Sequence, residues 1–231
     1  MEIEPPPTEA PEQAGPRVQE TRSPLVPEHL VDVFLHPRRF FTSQLALGRT
    51  PYVVAVTWCF GASSAIDRVN ESLGSGGLAS SVGSRLAGAA DSWPAFWIYL
   101  ALSGAGSGLL LWWFGGWWYR VRLGWCGARE PDPRVSRLVY IYSAFVGSAP
   151  AVLLVALETV VFTSYREAWM ASRANLIWLQ GFALWSLWPS YVGATTLFDL
   201  GRIRARIWFL VLPALAQALA SGLWLEALKR L

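Results

Sequence analysis

The sequence predicts an all-α, polytopic integral membrane protein, a helix bundle with five transmembrane helices, N-terminus inside and C-terminus outside. Three observations predict it. Apolar residues make up 53% of the 231 residues and charged residues only 15%, against about 25% charged in an average soluble domain. Fourteen tryptophans add a residue that concentrates at bilayer interfaces. Five runs carry no charge over 17 to 28 residues, and a spanning helix needs about 20 mostly apolar residues. Other classes are excluded on the same grounds. Two cysteines make no disulfide framework. The net charge of +3 comes from arginines scattered between apolar runs, with no basic stripe for a nucleic-acid partner.

Residues 1–27 form a polar tail punctuated by seven prolines, Pro5 to Pro27, with Glu2, Glu4, Glu9, Glu12 and Glu20 between them. Such a cytoplasmic tail buries too little apolar surface to offset its ordering entropy and is expected to be disordered.

Residues 28–48 form an amphipathic segment. Leu30, Val33, Phe34, Phe40, Phe41, Leu45 and Leu47 recur at near-helical spacing, with Arg38 and Arg39 beside them. Phe34, Arg38, Arg39, Phe40 and Phe41 are therefore candidate membrane-interface residues. The same pattern suits a helix docked on the first span.

Residues 49–231 hold the five uncharged runs, 50–66, 92–119, 138–157, 174–198 and 207–225. The first is the shortest, and Arg49 is placed to snorkel at its end. With the N-terminus cytoplasmic, the inner segments carry thirteen arginines and the outer ones six Lys or Arg, which sets the orientation. Trp93, Trp97, Trp112, Trp113, Trp117, Trp118, Trp208 and Trp224 fall at span ends, as an aromatic belt requires. Trp185 and Trp188 fall deeper and are expected to pack between helices. The connection 67–91 offers one weakly amphipathic helix around Leu78, Val82 and Leu86.

Within the spans, Ser103, Gly104, Ser107 and Gly108 place small residues on one helical face. Small faces let backbones approach closely, either inside the monomer's own bundle, the commoner use, or across a dimer. Pro150, Pro189 and Pro213 lie within three spans and remove backbone donors there, marking helix kinks. Discontinuous helices also build transporter sites, but the centres of the runs hold no ionisable group. Gln180 and Gln217 are the polar groups at depth, and interhelical hydrogen bonding accounts for them. Glu158 lies near the outer boundary, and Asp199 is expected to pair with Arg202, Arg204 or Arg206. No cluster at metal-ligand spacing and no nucleophile, zincin or phosphate-loop motif occurs. No enzyme activity, cofactor or metal is expected.

Three passages carry a family resemblance. One is His36-Pro37-Arg38-Arg39-Phe40-Phe41, a histidine–proline step followed by paired aromatics ahead of the first span. Another runs from Arg137-Leu138-Val139-Tyr140 to Ser148-Ala149-Pro150. The third is Trp188-Pro189-Ser190-Tyr191-Val192-Gly193, continuing to Gly201-Arg202-Ile203-Arg204-Ala205-Arg206. Together they resemble the Ypt/Rab-interacting-protein (Yip) domain family, particularly its prokaryotic members, over about residues 30 to 225.

The resemblance implies a five-span domain with a cytoplasmic N-terminus. Eukaryotic relatives act in vesicle traffic and engage Rab-type GTPases; prokaryotic members have no agreed activity. No Asp-Leu-Tyr-Gly-Pro motif precedes the first span, so GTPase binding is not carried over. Eighteen arginines to one lysine suggest a GC-rich, bacterial genome and hence the inner (cytoplasmic) membrane. The expectation is a non-enzymatic, Yip-type scaffold that organises its membrane, in which residues 30–47 wedge into the inner leaflet. Its partners would be membrane lipids, further copies of itself or other membrane proteins. The alternative is a small-solute transporter or channel, lined by Gln180, Gln217 and the bends at Pro189 and Pro213.

Overall fold

A computed structural model describes residues 28–74, 87–171 and 175–229. Among these residues every regular element is helical. The expected disordered tail and the expected helix around Leu78 lie outside them.

In chain order the elements are α1 (Glu28–Leu35), α2 (Pro37–Phe40) with a π-helical extension Phe41–Leu45, α3 (Val53–Gly74), α4 (Trp93–Trp125) and α5 (Pro133–Val161). There follow α6 (Tyr165–Ala171), α7 (Asn175–Trp185), α8 (Leu187–Leu197), α9 (Arg202–Arg206), a second π segment Ile207–Val211, and α10 (Leu212–Lys229). The sequence starts the long helices with defined caps. Ser92 Oγ accepts from the Ala95 amide ahead of α4. Asp132 Oδ1 accepts from the amides of Arg134 and Val135 at 2.6 and 3.0 Å ahead of α5. In both helices a proline occupies the first turn, where its missing N–H costs nothing.

Helix ends meet at two places, so the helices run antiparallel. At one end the Gly201 amide donates to the Cys126 carbonyl at 3.3 Å, joining the end of α4 to the start of α9. At the other, Trp93 Nε1 donates to the Phe162 carbonyl at 2.8 Å. There too, Tyr165 Oη donates to Asn70 Oδ1 at 2.7 Å and the Arg166 amide to the Ala90 carbonyl at 3.0 Å. These bonds gather the end of α3, the start of α4 and the end of α5. We call these the Arg122 end and the Trp93 end.

Three helices, Trp93–Trp125, Pro133–Val161 and Arg202–Ala220, are long and apolar enough to cross a membrane. Large apolar side chains stand open along them: Leu102 is 72% exposed, Leu157 67% and Val160 86%. A soluble fold would bury such surface, whereas lipid solvates it. The chain is accordingly a helical membrane protein. The remaining two rods differ from those three. In α3 the last third carries Asp67, Arg68 and Glu71. The run 174–198 is divided into two eleven-residue helices at Ser186.

Proline explains that division. Pro189 has no N–H to offer the Trp185 carbonyl four residues back, and α7 stops at Trp185. Pro213 likewise follows the wide π turn Ile207–Val211, a common adjustment where a backbone bond is lost. Pro150 sits inside α5, which continues through it.

Glycine sets how closely the rods pack. A Cβ on Gly61 of α3 would overlap the Gly104 carbonyl oxygen and the Gly108 backbone of α4. A Cβ on Gly108 would lie 2.6 Å from the Thr57 carbonyl oxygen, and one on Gly104 3.2 Å from the Ala62 backbone. Gly104, Ser107 and Gly108 are buried there, so the small-residue face of α4 packs against α3 of the same chain. Ser103 lies at the edge of that face, its Oγ buried without a partner. About two turns further on, Gly115 gives room to the Tyr140 ring and Gly116 to the Arg137 side chain, both from α5. Gly106, on the opposite side, faces open space.

Gly61→Ala is therefore expected to cost about 1–3 kcal/mol through overpacking, read as a lowered unfolding midpoint in detergent micelles. Gly106→Ala is expected to stay within about 0.5 kcal/mol of the parent. Equal effects at the two positions would contradict the α3–α4 seam.

Candidate functional site

Two tyrosines hold the Arg122 end together across distant parts of the chain. Tyr119, fully buried on α4, donates to the Ser190 carbonyl of α8 at 2.7 Å. Tyr142, fully buried on α5, donates to the Pro51 carbonyl at 2.6 Å. The next residue, Tyr52, has φ of 55°, a left-handed conformation uncommon for a non-glycine residue, so the Tyr142 bond fixes the turn leading into α3.

The N-terminal segment closes over this region. Phe40 and Phe41 are both fully buried. The Phe40 ring packs 4.9 Å from Tyr142 and 5.4 Å from Phe41, and Phe41 fills the space left by Gly193 beside Val139. Phe34 is part-buried, its ring 5.7 Å from Phe145. Of the five residues expected at the membrane interface, only Arg38 and Arg39 are exposed. The two phenylalanines expected to wedge into the leaflet instead lie inside the bundle. The physical reason is the pocket that Gly193, Val139 and Tyr142 provide, all at least 98 residues away in sequence. Trp185 Nε1 also donates to the Phe34 carbonyl at 3.2 Å, tying α1 to α7.

Arg122 occupies the space between α4 and the second π segment. Its Cζ lies 5.1 Å from the Tyr119 ring centre and 4.7 Å from that of Phe209, within cation–π range. Nη1 donates to the Trp208 carbonyl at 3.4 Å, a long bond, and the buried Nε has no partner. Arg137 stacks its guanidinium 4.2 Å from the Trp113 ring centre, and Arg120 Nε donates to the Pro131 carbonyl at 2.9 Å. Among the described residues, no carboxylate pairs with Arg120, Arg122, Arg129, Arg134, Arg137, Arg202, Arg204 or Arg206. The ion pair expected for Asp199 does not form. That carboxylate is exposed, where solvation competes well with a surface pair.

Beside this cluster a cavity of about 770 Å³ is lined by the turn after α4 and the turn before α9, including Cys126, Arg129, Asp132, Asp199 and Arg204. Cys126 is 1% exposed. Burial pushes its thiol up, while Arg122 and Arg204 pull the other way, leaving it protonated at neutral pH. Cys59 is also free and buried.

The polar groups at depth are engaged. Gln217 Nε2 of α10 donates to Gln180 Oε1 of α7 at 2.5 Å. Trp185 and Trp188, expected between helices, are 50% and 46% exposed, because it is Ala183 and Ser186 on the other side of that stretch that meet α5 at Gly147. Among the described residues no three His, Cys, Asp or Glu side chains gather as a metal site.

Sequence reasoning missed Gly61, Gly115 and Gly116 as packing positions, and Tyr119, Tyr142 and Arg122 as the keys of the Arg122 end. The available signal was the arginine itself, since a charge within three residues of a run of aromatics needs an environment that accepts it.

Phe40→Ala is expected to cost about 3–5 kcal/mol, measured by unfolding in mixed micelles, and to open residues 28–45 to protease. Arg38→Gln, at an exposed position, is expected to change stability by less than about 0.5 kcal/mol. A stable Phe40→Ala protein would place that ring outside the core.

No protein family, curated protein or solved structure matches the chain.

Proposed function

We propose that the chain is a non-enzymatic membrane scaffold of the Yip type, with five crossings, a cytoplasmic N-terminus and an outer C-terminus. The carrying observation is the antiparallel run of five rods, α3, α4, α5, α7–α8 and α9–α10, with the unpaired arginines gathered at one end. By the positive-inside rule that end faces the cytoplasm. In this reading the broken rod α7–α8 and the shorter apolar part of α3 cross with the support of their neighbours, which satisfy freed backbone groups.

A scaffold reading is favoured by how the polar groups are used. Tyr119, Gln180 and Gln217 join one helix to another and Tyr142 ties α5 to the turn ahead of α3; a transport path would leave such groups facing a cavity. The resemblance to prokaryotic Yip proteins and the arginine-rich composition favour a bacterial inner membrane as its location, with lipids and other membrane proteins as its proposed partners.

A reporter fused after Leu231 is expected to be active only outside the cytoplasm, as an odd number of crossings requires. Proteoliposomes holding the full chain are expected to pass potassium and glycerol no faster than empty vesicles. A cytoplasmic reporter would remove the five-crossing reading, and protein-dependent flux would replace the scaffold with a channel or transporter.

A further inference from the structure

Arg122 is a cation without a counter-charge in a largely enclosed place. A guanidinium carries five N–H donors and is always charged. Here Nη1 makes one long bond to the Trp208 carbonyl and Nε makes none. Its neighbours are the rings of Tyr119 and Phe209 and the thiol of Cys126, none of them an anion at neutral pH. From α9, Arg204 lines the neighbouring cavity together with Cys126 and Arg129. The three carboxylates of that cavity, Glu130, Asp132 and Asp199, are solvent-exposed, and Asp132 is engaged in capping α5.

An aromatic shelf lies beside Arg122, whose Nη1 reaches the Trp208 carbonyl. Trp118 and Trp125 lie 5.3 Å apart and Trp125 and Trp208 4.4 Å apart, ring centre to ring centre. Trp118 and Trp125 remain 44% and 45% exposed. Toward the middle of α4 the exposed residues turn wholly apolar, with Phe114, Leu110 and Leu109. A helix of 33 residues is about 50 Å long, while the hydrocarbon core is about 30 Å thick, so the last turns of α4 reach the headgroup layer. One molecule matches the whole series of surfaces: a negative phosphate for the arginines, a glycerol backbone for the indole shelf, and acyl chains for the apolar flank.

We propose that Arg122 and Arg204, with Trp125 and Trp208, form a binding site for the phosphate headgroup of an anionic phospholipid. Basic pockets between helices on the cytoplasmic side of membrane proteins take such headgroups. The phosphate supplies the acceptors that Arg122 lacks, and the rings of Tyr119 and Phe209 hold the guanidinium in place when the site is empty. A free phosphate ion shares the charge but leaves the shelf and the apolar flank uncovered. The inference rests on the Arg122 end lying at a membrane surface; the C-terminal reporter reads which side that surface faces, on which lipid retention does not depend.

Native mass spectrometry of the full chain, released from detergent containing equimolar phosphatidylglycerol and phosphatidylcholine, tests it. Phosphatidylglycerol is expected to be retained about tenfold over phosphatidylcholine, which carries the same phosphate but adds a choline cation that the two arginines repel. Arg122→Gln is expected to remove that preference, Arg122→Lys to keep part of it, and Arg134→Gln, exposed at the start of α5, to leave it intact. Should Arg122→Gln fail to fold by circular dichroism, Arg204→Gln carries the test and is expected to weaken the preference. Equal retention of the two lipids by the parent chain, or an undiminished preference in folded Arg122→Gln or Arg204→Gln protein, would overturn the proposal. Displacement of the lipid by millimolar inorganic phosphate would overturn it too, by assigning the site to a free anion.

Discussion

The backbone approach of α3 to α4 is the constraint on which the rest of the bundle depends. Lipid tails are as apolar as leucine, so apolar side chains gain little by leaving them for a neighbouring helix. What lipid does not supply is close packing, and close packing requires the absence of side chains where backbones meet. Gly61 facing Gly104 and Gly108 meets that requirement, with Thr57 and Ala62 completing the seam. Gly115 and Gly116 extend it toward the Arg122 end, where Tyr140 and Arg137 of α5 take up the vacated space. Three rods are thereby held at a spacing that lets Tyr119 reach Ser190 and Tyr142 reach Pro51. Those two bonds in turn shape the pocket into which Phe40 and Phe41 dock.

Charge and packing come into tension at the Arg122 end. The glycine seam and the tyrosine bonds draw α4, α8 and α9 together there, and one arginine is enclosed among aromatic rings. Burying a cation without a partner is costly, and two ring faces offset only part of it. The structure tolerates the remainder at one end of the bundle, away from its apolar middle. A bound phosphate would relieve that tension without any rearrangement of the helices.

Much of this was legible in the sequence, and the gaps have physical causes. The long rods follow directly from uncharged runs, and the small-residue face of α4 from the spacing of Gly104 and Gly108. Its partner Gly61 was not legible, because one glycine among Phe60, Ala62 and Ser63 carries no period of its own. The segment 28–48 showed its amphipathic pattern but not its destination. An aromatic stripe flanked by arginines suits a leaflet and a protein groove equally, and the groove is built from α5 and α8, far along the chain. Pro189 announced a disturbance in its span, yet the break falls at Ser186, because a missing N–H is felt one turn earlier. Asp199 was assigned a partner by proximity in sequence, which says nothing about solvation at an exposed turn.

The most direct test of the central claim is a double-mutant cycle between Gly61→Ala and Gly108→Ala, with unfolding followed across a wide range of protein-to-detergent ratios. Two backbones in contact within one chain predict strong non-additivity, about 0.5–3 kcal/mol. The first methyl already separates the helices and leaves the second little to disturb. The coupling should not change on dilution. Additive effects, or a coupling that fades as the protein is diluted, would instead place that glycine contact between chains and contradict the seam on which the fold has been built.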